Sequence, residues 1–430
     1  MKKDLLRGLV LLSAVLLLFA GCRKPVRFAH ADWTYGTVVY EMNTRQLTPE
    51  GTFAAAEQHL SRLKDLGVDI IWLMPIYPIG ELERKGSLGS YYAIRDYCDV
   101  NPEFGTLADF DHFLEQAHAQ GFKVILDWVA NHTSPDHPWV TEKPAEWYYR
   151  DSLGRTIVEY DWTDIAKLNY STPAVSKAME QCMRFWLDRG VDGFRCDVAY
   201  QVPARFWKKV IPALRKDYGD LYFLAEGEEV WLHGAGFDAT YAWKLHHLLN
   251  DIAQGNAGVD ELKAWIDEAA GEYPAEAFRL GFTSNHDENS WSGTEFERMG
   301  LAWRAMTVLA YTLPGMQPLV YTGQEVGYDH RFEFFEKDPV PAELWEDGDA
   351  AVKFTGFYKS LIELYHSHPA LWAGQSLGKF EILDNYPLAE GLENVIVYRR
   401  SLGEDVVTIG VHLAAPFEFF VTFGDDNQTN

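Results

Sequence analysis

Basic residues are scarce in this chain. Its 430 residues include 38 Lys and Arg against 63 Asp and Glu, a formal net charge of −25. A nucleic-acid partner needs a cationic footprint on the protein, so this balance argues against one and favours a neutral or cationic substrate. Cysteine is scarcer still, with 4 in all. Cys98, Cys182 and Cys196 form an odd, sparse set that makes no disulfide framework, so buried free thiols are expected. Internal repeats and low-complexity stretches are missing. With 47% hydrophobic and 23% charged residues the composition is globular, which excludes a disordered tail carrier. Aromatics are plentiful, with 15 Trp, 22 Tyr and 25 Phe, as suits both a large core and stacking on sugar rings.

The N-terminus carries the one long apolar run. Lys2, Lys3 and Arg7 precede Leu9 to Ala20, which is too short to span a bilayer comfortably. Residues 1–22 are therefore set aside as a targeting segment. Their close, Phe19-Ala20-Gly21-Cys22, resembles a bacterial lipoprotein signal box, with Phe19 where Leu is usual. That resemblance implies an exported protein lipidated on Cys22 and tethered through residues 23–32 to a bilayer, facing the periplasm or the cell surface.

Beyond the tether, short apolar runs alternate with stretches of helical periodicity. The runs are Thr37–Met42, Val68–Met74, Phe122–Asp127, Val191–Asp197, Leu221–Glu226, Gly236–Thr240, Phe278–Thr283 and Gln317–Tyr321. Eight such repeats predict an α/β fold, a (β/α)8 TIM barrel over residues 33–370. An excursion over 132–172, rich in Trp, Tyr, Pro and Asp, follows the third strand and is too long to be idle. Over 371–430 the pattern turns to period-two alternation, which predicts a small antiparallel β domain.

Chemistry in such barrels sits at the carboxyl ends of the strands. There the chain places Asp127 with Asn131 and His132, Arg195 with Asp197, Glu226, and His286 with Asp287. Arg195 and Asp197 are two apart on a strand, so they project to one side, and a guanidinium there is expected to hold Asp197 ionised. Carboxylates converging from three strand ends would repel one another, so function explains them better than stability. Glycoside hydrolysis through a covalent intermediate uses such a set, with one ionised carboxylate as nucleophile and one protonated carboxyl as acid. His132 and His286 are suited to hydrogen-bond sugar hydroxyls.

Four ordered segments carry a family resemblance: Asp127-Trp128-Val129-Ala130-Asn131-His132, Gly193-Phe194-Arg195-Cys196-Asp197, Glu226 after Leu224-Ala225, and Phe282-Thr283-Ser284-Asn285-His286-Asp287. In them the chain resembles the α-amylase family of glycoside hydrolases. The resemblance implies Asp197 as nucleophile, Glu226 as acid/base and Asp287 as transition-state stabiliser. Tyr92, within Ser90 to Tyr97, is implied to stack under the sugar, and Asp127, His132, Arg195 and His286 to bind substrate. No cofactor is implied for the chemistry. Asn131 is a candidate ligand of a structural calcium, with Asp161 and Asp164 as candidate helpers. The 132–172 excursion resembles the family's domain B and the C-terminal strands its domain C.

Ile165 to Asn169 is similar to a segment of neopullulanase-like members, and Val198 to a residue of relatives that accept α-1,6 bonds. Tyr200-Gln201 stands where the family usually has Lys-His. The expected activity is therefore retaining, endo-type cleavage of α-1,4 bonds, with α-1,6 bonds a further candidate, in starch, maltooligosaccharides or pullulan. Two alternatives stand beside it, an α-glucan transglycosylase and a non-catalytic glycan-binding lipoprotein.

Overall fold

The computed structural model describes residues 30–346, 349–375, 377–387, 394–413 and 419–422. The targeting segment, Cys22 and most of the tether lie outside these residues. Among the described residues no helix is long and apolar enough to cross a membrane.

Eight parallel strands close the barrel: β1 (Val39–Met42), β2 (Ile70–Leu73), β3 (Lys123–Trp128), β6 (Gly193–Cys196), β7 (Tyr222–Ala225), β8 (Ala239–Tyr241), β9 (Phe278–Gly281) and β10 (Met316–Tyr321). Two further short strands, β4 (His132–Thr133) and β5 (Ala166–Lys167), pair antiparallel outside the barrel. All eight expected barrel strands are present, generally shorter than expected. The weakest, read over 236–240, forms instead at Ala239–Tyr241, because Gly236 is spent on a left-handed turn.

Side chains alternate along each strand, and this parity builds the site. Val39, Ile125 and Leu224 point into the barrel and pack with Trp72, Tyr241 and Leu280. Val38, Tyr40, Val124, Phe194 and Phe223 belong to the larger core shared with the helices. Two residues further along the inward row come Glu41, Asp127 and Glu226, and the inward row of β6 runs Arg195 to Asp197. The pleat thus delivers the charged residues to one mouth of the barrel. Gly193 permits the tight approach of β6 to β7, since a Cβ there would lie 1.9 Å from the Tyr222 carbonyl oxygen.

Residues 132–172 form a layer of their own: the β4–β5 pair, a helix over Pro138–Glu142 and a 3-10 turn over Ala145–Trp147. It ends where Pro173 opens the helix Pro173–Leu187, the position at which proline costs a helix least. Two helices precede β9, Trp243–Ala253 and Val259–Glu272, with Gly255 at positive φ between them. At the C-terminus β11 (Lys379–Ile382), β12 (Val395–Leu402), β13 (Asp405–His412) and β14 (Phe419–Thr422) form one antiparallel sheet. Cys98, Cys182 and Cys196 are free thiols; Cys182 and Cys196 are buried as expected, whereas Cys98 is only partly so.

Candidate active site

A cavity of about 460 Å³ opens at the carboxyl ends of the barrel strands, within the range of small-molecule sites. Asp197, Glu226 and Asp287 all line it, from the ends of β6, β7 and β9, together with Tyr92, His132 and His286. Asp127 and Arg195, read from the sequence as substrate-binding, do not reach it. They lie fully buried beneath the floor and act on the residues above.

Arg195 organises that floor. Its guanidinium donates to Asp127 (2.9 Å) and to Asp197 Oδ1 (3.2 Å), and it forms an ion pair with Glu226 Oε2 (2.9 Å). It also donates to the Tyr241 hydroxyl (3.2 Å) and lies 4.9 Å from the Trp72 ring centroid. Asp127 accepts from Trp72 Nε1 and from the Tyr92 hydroxyl, both at 3.1 Å, which fixes Tyr92 over the floor. Asp197 is not held down as expected. Burial first, and then the charge of Glu226, push its carboxyl well above the usual range against the pull of Arg195. The reason is geometric: one cation is shared among three carboxylates.

Glu226 is aimed by strained backbone. Val198 sits in the left-handed region (φ 34°, ψ 47°), where a β-branched residue costs about 1–3 kcal/mol. That turn sends its N–H to Glu226 Oε2 at 2.7 Å, and Ala199 N–H to the Glu226 carbonyl at 3.0 Å. The Val198 hydrogen bond and the Arg195 ion pair therefore both fall on Oε2, and Oε1 is the oxygen that takes neither.

The two histidines differ in charge. Burial lowers His132 to about 4, so its ring is neutral near pH 7. Burial also opposes the charge on His286, but the carboxylates of Asp287 and Glu41 outweigh it and raise the ring to about 9. His286 is accordingly an imidazolium, with Nδ1 on buried Glu41 and Nε2 shared between the Tyr92 hydroxyl (2.8 Å) and Asp287 (3.3 Å).

The remaining sequence candidates divide. Of the excursion's tryptophans Trp162 lines the cavity, whereas Trp139 packs on Trp147 (5.3 Å between centroids). Within 165–169 it is Ile165 that reaches the cavity; Asn169 Nδ2 instead donates to the Glu146 carbonyl (3.0 Å). His246 is buried behind the site against Glu288 (3.1 Å). Sequence reasoning missed Glu41, Trp72 as a donor, Lys85, and the aromatic wall of Trp291, Phe334 and Phe335. A lone carboxylate in the apolar run Val39-Tyr40-Glu41-Met42 was a legible signal. Nothing in the sequence singles out the wall.

Asn131, the candidate calcium ligand, is held through its amide nitrogen and not through its oxygen. Its amide nitrogen donates to Glu159 Oε2 (2.9 Å), and the Lys167 ammonium meets Glu159 Oε1 (2.5 Å). Likewise Lys85 stands against the Asp161 carbonyl (3.0 Å) and Asp164 Oδ1 (3.5 Å). Lysines of the protein's own thus already face Glu159 and Asp164, the carboxylates beside the candidate ligands. Among the described residues no group of three or more His, Cys, Asp or Glu is arranged to hold a metal ion.

A closed parallel barrel with three carboxylates on its carboxyl-end rim has the build of a barrel enzyme. The family model for the alpha amylase catalytic domain matches residues 25–152 and 143–380, and the chain belongs to that family. It is 29% identical over 394 residues to Alpha-amylase MalA of Haloarcula japonica, covering 88% of this chain and 55% of that protein. It is 27% identical over 410 residues to an alpha-1,4-glucan:maltose-1-phosphate maltosyltransferase of Salinibacter ruber, covering 87% and 58%. Among solved structures, an alpha-amylase from Lactobacillus plantarum superposes with a TM-score of 0.78 at 30% identity, covering 87% of this chain and 88% of that one. The chain thus spans a little over half the length of these two curated relatives.

Proposed function

We propose that the protein is a retaining glycoside hydrolase of α-glucans. The observation that carries this reading is one guanidinium, Arg195, touching both Asp197 and Glu226 on the cavity wall. Two carboxyls within the span of a single Arg suit the closer spacing of retaining enzymes, in which no water fits between acid and nucleophile.

The reaction then runs as follows. A glucosyl ring lies over Tyr92, and Asp197 attacks its anomeric carbon. The bond to the leaving oxygen breaks as Glu226 delivers the proton of Oε1 to that oxygen. Asp287, steadied by the His286 imidazolium, grips the ring as positive charge develops. In the second half Glu226 takes a proton from water, the water attacks the same carbon, and the ester to Asp197 breaks. Configuration is retained, Asp197 leaves as carboxylate and Glu226 is protonated again.

One observation favours transfer to a sugar as a second reading. Tyr160 and Tyr200, 68% and 41% exposed, both meet Gln201, and Tyr200 packs against Gly227 beside the acid. Exposed rings at that place offer an acceptor sugar a stacking face. The α-1,6 tolerance drawn from Val198 is supported by its position on the cavity wall. The lipoprotein-like box ending at Cys22 supports a membrane-anchored, exported enzyme.

The product profile of the protein from Pro25 onward, on amylose and on pullulan, tests the reading. Oligosaccharide release from amylose is expected, with panose or maltose units from pullulan if α-1,6-rich chains are accepted. No product from either polymer contradicts hydrolysis and leaves the glycan-binding lipoprotein.

A further inference from the structure

The catalytic assignment gives the cavity a direction. Glu226 must face the leaving oxygen, so the departing part of the glucan runs past Glu226 and Val198. The sugars that stay on the enzyme run the other way, past Tyr92 and Asp287. On that side the rings of Phe334 and His286 lie 6.3 and 5.4 Å from Tyr92, and Trp291 is 5.2 Å from Phe334.

Beyond those rings the walls are tied together. The loop after β2 sends the Lys85 ammonium to the Asp161 carbonyl (3.0 Å) and to Asp164 (3.5 Å), in the 132–172 layer. Two residues on, Ser87 N–H donates to Glu336 Oε1 (2.7 Å), its hydroxyl to the other oxygen of Glu336, and Leu88 N–H to the Phe335 carbonyl (3.1 Å), in the loop after β10. Gly86 lies at φ 60° against Phe335, where a Cβ would come within 2.5 Å of the Phe335 side chain. Three segments from distant parts of the chain therefore meet at the same end of the cavity, and Lys85, Phe334 and Phe335 are themselves part of its lining.

We infer that this strap, with Lys85 as its clasp, closes the glycone end of the cleft, so that the enzyme works from non-reducing chain ends rather than within chains. This rests on the glycosidase reading above and replaces the endo expectation. A glucan threading through must have an open path on both sides of the scissile bond. Here one side ends on aromatic rings and a lysine, so the chain enters only as far as its terminal sugars reach. Rejection comes from steric conflict with the continuing chain, which leaves short free-ended substrates unaffected.

The test compares a maltoheptaoside free at both ends with the same oligosaccharide whose terminal 4- and 6-hydroxyls carry a bulky acetal. The wild-type protein is expected to cleave the blocked substrate about a hundredfold more slowly. Lys85→Ala and, separately, Phe335→Ala should shrink that ratio about tenfold, as expected for removing one steric element. Thermal melting of each variant confirms that it is folded, and the ratio, not the absolute rate, is the readout. Equal rates on the two substrates in the wild-type protein overturn the strap while leaving the glycosidase intact. A ratio unmoved in both folded variants overturns the assignment of the closure to this strap. No turnover of either substrate overturns the catalytic reading on which it stands.

Discussion

Asp197→Asn should cut turnover by about four to six orders of magnitude, the loss seen when a covalent nucleophile is removed, with glucan binding retained. The amide has the shape of the carboxylate but forms no ester with the sugar. Stability should hold or rise. Burial and the Glu226 charge lift the Asp197 carboxyl above its unfolded value, so above that value the ionised form opposes folding. A neutral amide removes that opposition, and Arg195 keeps its partners Asp127 and Glu226. Calorimetric melting at pH 7 and binding of maltooligosaccharide by titration calorimetry check both halves. A variant that still turns over would contradict the assignment of Asp197.

Glu226→Gln should lose about two to four orders of magnitude on amylose, because the leaving oxygen departs without its proton. On α-maltosyl fluoride, whose leaving group needs no proton, the first step should survive largely intact. The ester should then accumulate, since water has lost its base, and azide, a nucleophile that needs none, should release it. The glutamine oxygen can still accept from the Val198 N–H, so the backbone turn at Val198 stays in place. Equal losses on amylose and on the fluoride would mean that another group supplies the proton.

How much of this was legible beforehand depended on range along the chain. Strand runs were readable because apolar residues of a barrel strand are contiguous, and the inward parity of Arg195 and Asp197 follows from spacing alone. The sharing of Arg195 among Asp127, Asp197 and Glu226 was not readable, since it needs three strands side by side. For the same reason the sequence pointed to Arg195 as a private partner of Asp197, and to Asp127 as a sugar ligand rather than a buried anchor. The pairing of Asn131 with Glu159 and Lys167 is likewise a long-range fact, invisible in a motif that supplied only the asparagine. Loops carry the weakest local signal, so Lys85 and the wall of Phe334 and Phe335 emerged only when the chain was folded.

The most direct measurement is the mass spectrum of peptides from protein treated with 5-fluoro-α-glucosyl fluoride, a reagent that forms the ester quickly and loses it slowly. The account predicts one sugar adduct, on the peptide containing Asp197, that decays as activity returns. An adduct on any other residue, or turnover of glucan with inverted configuration and no adduct, would contradict it.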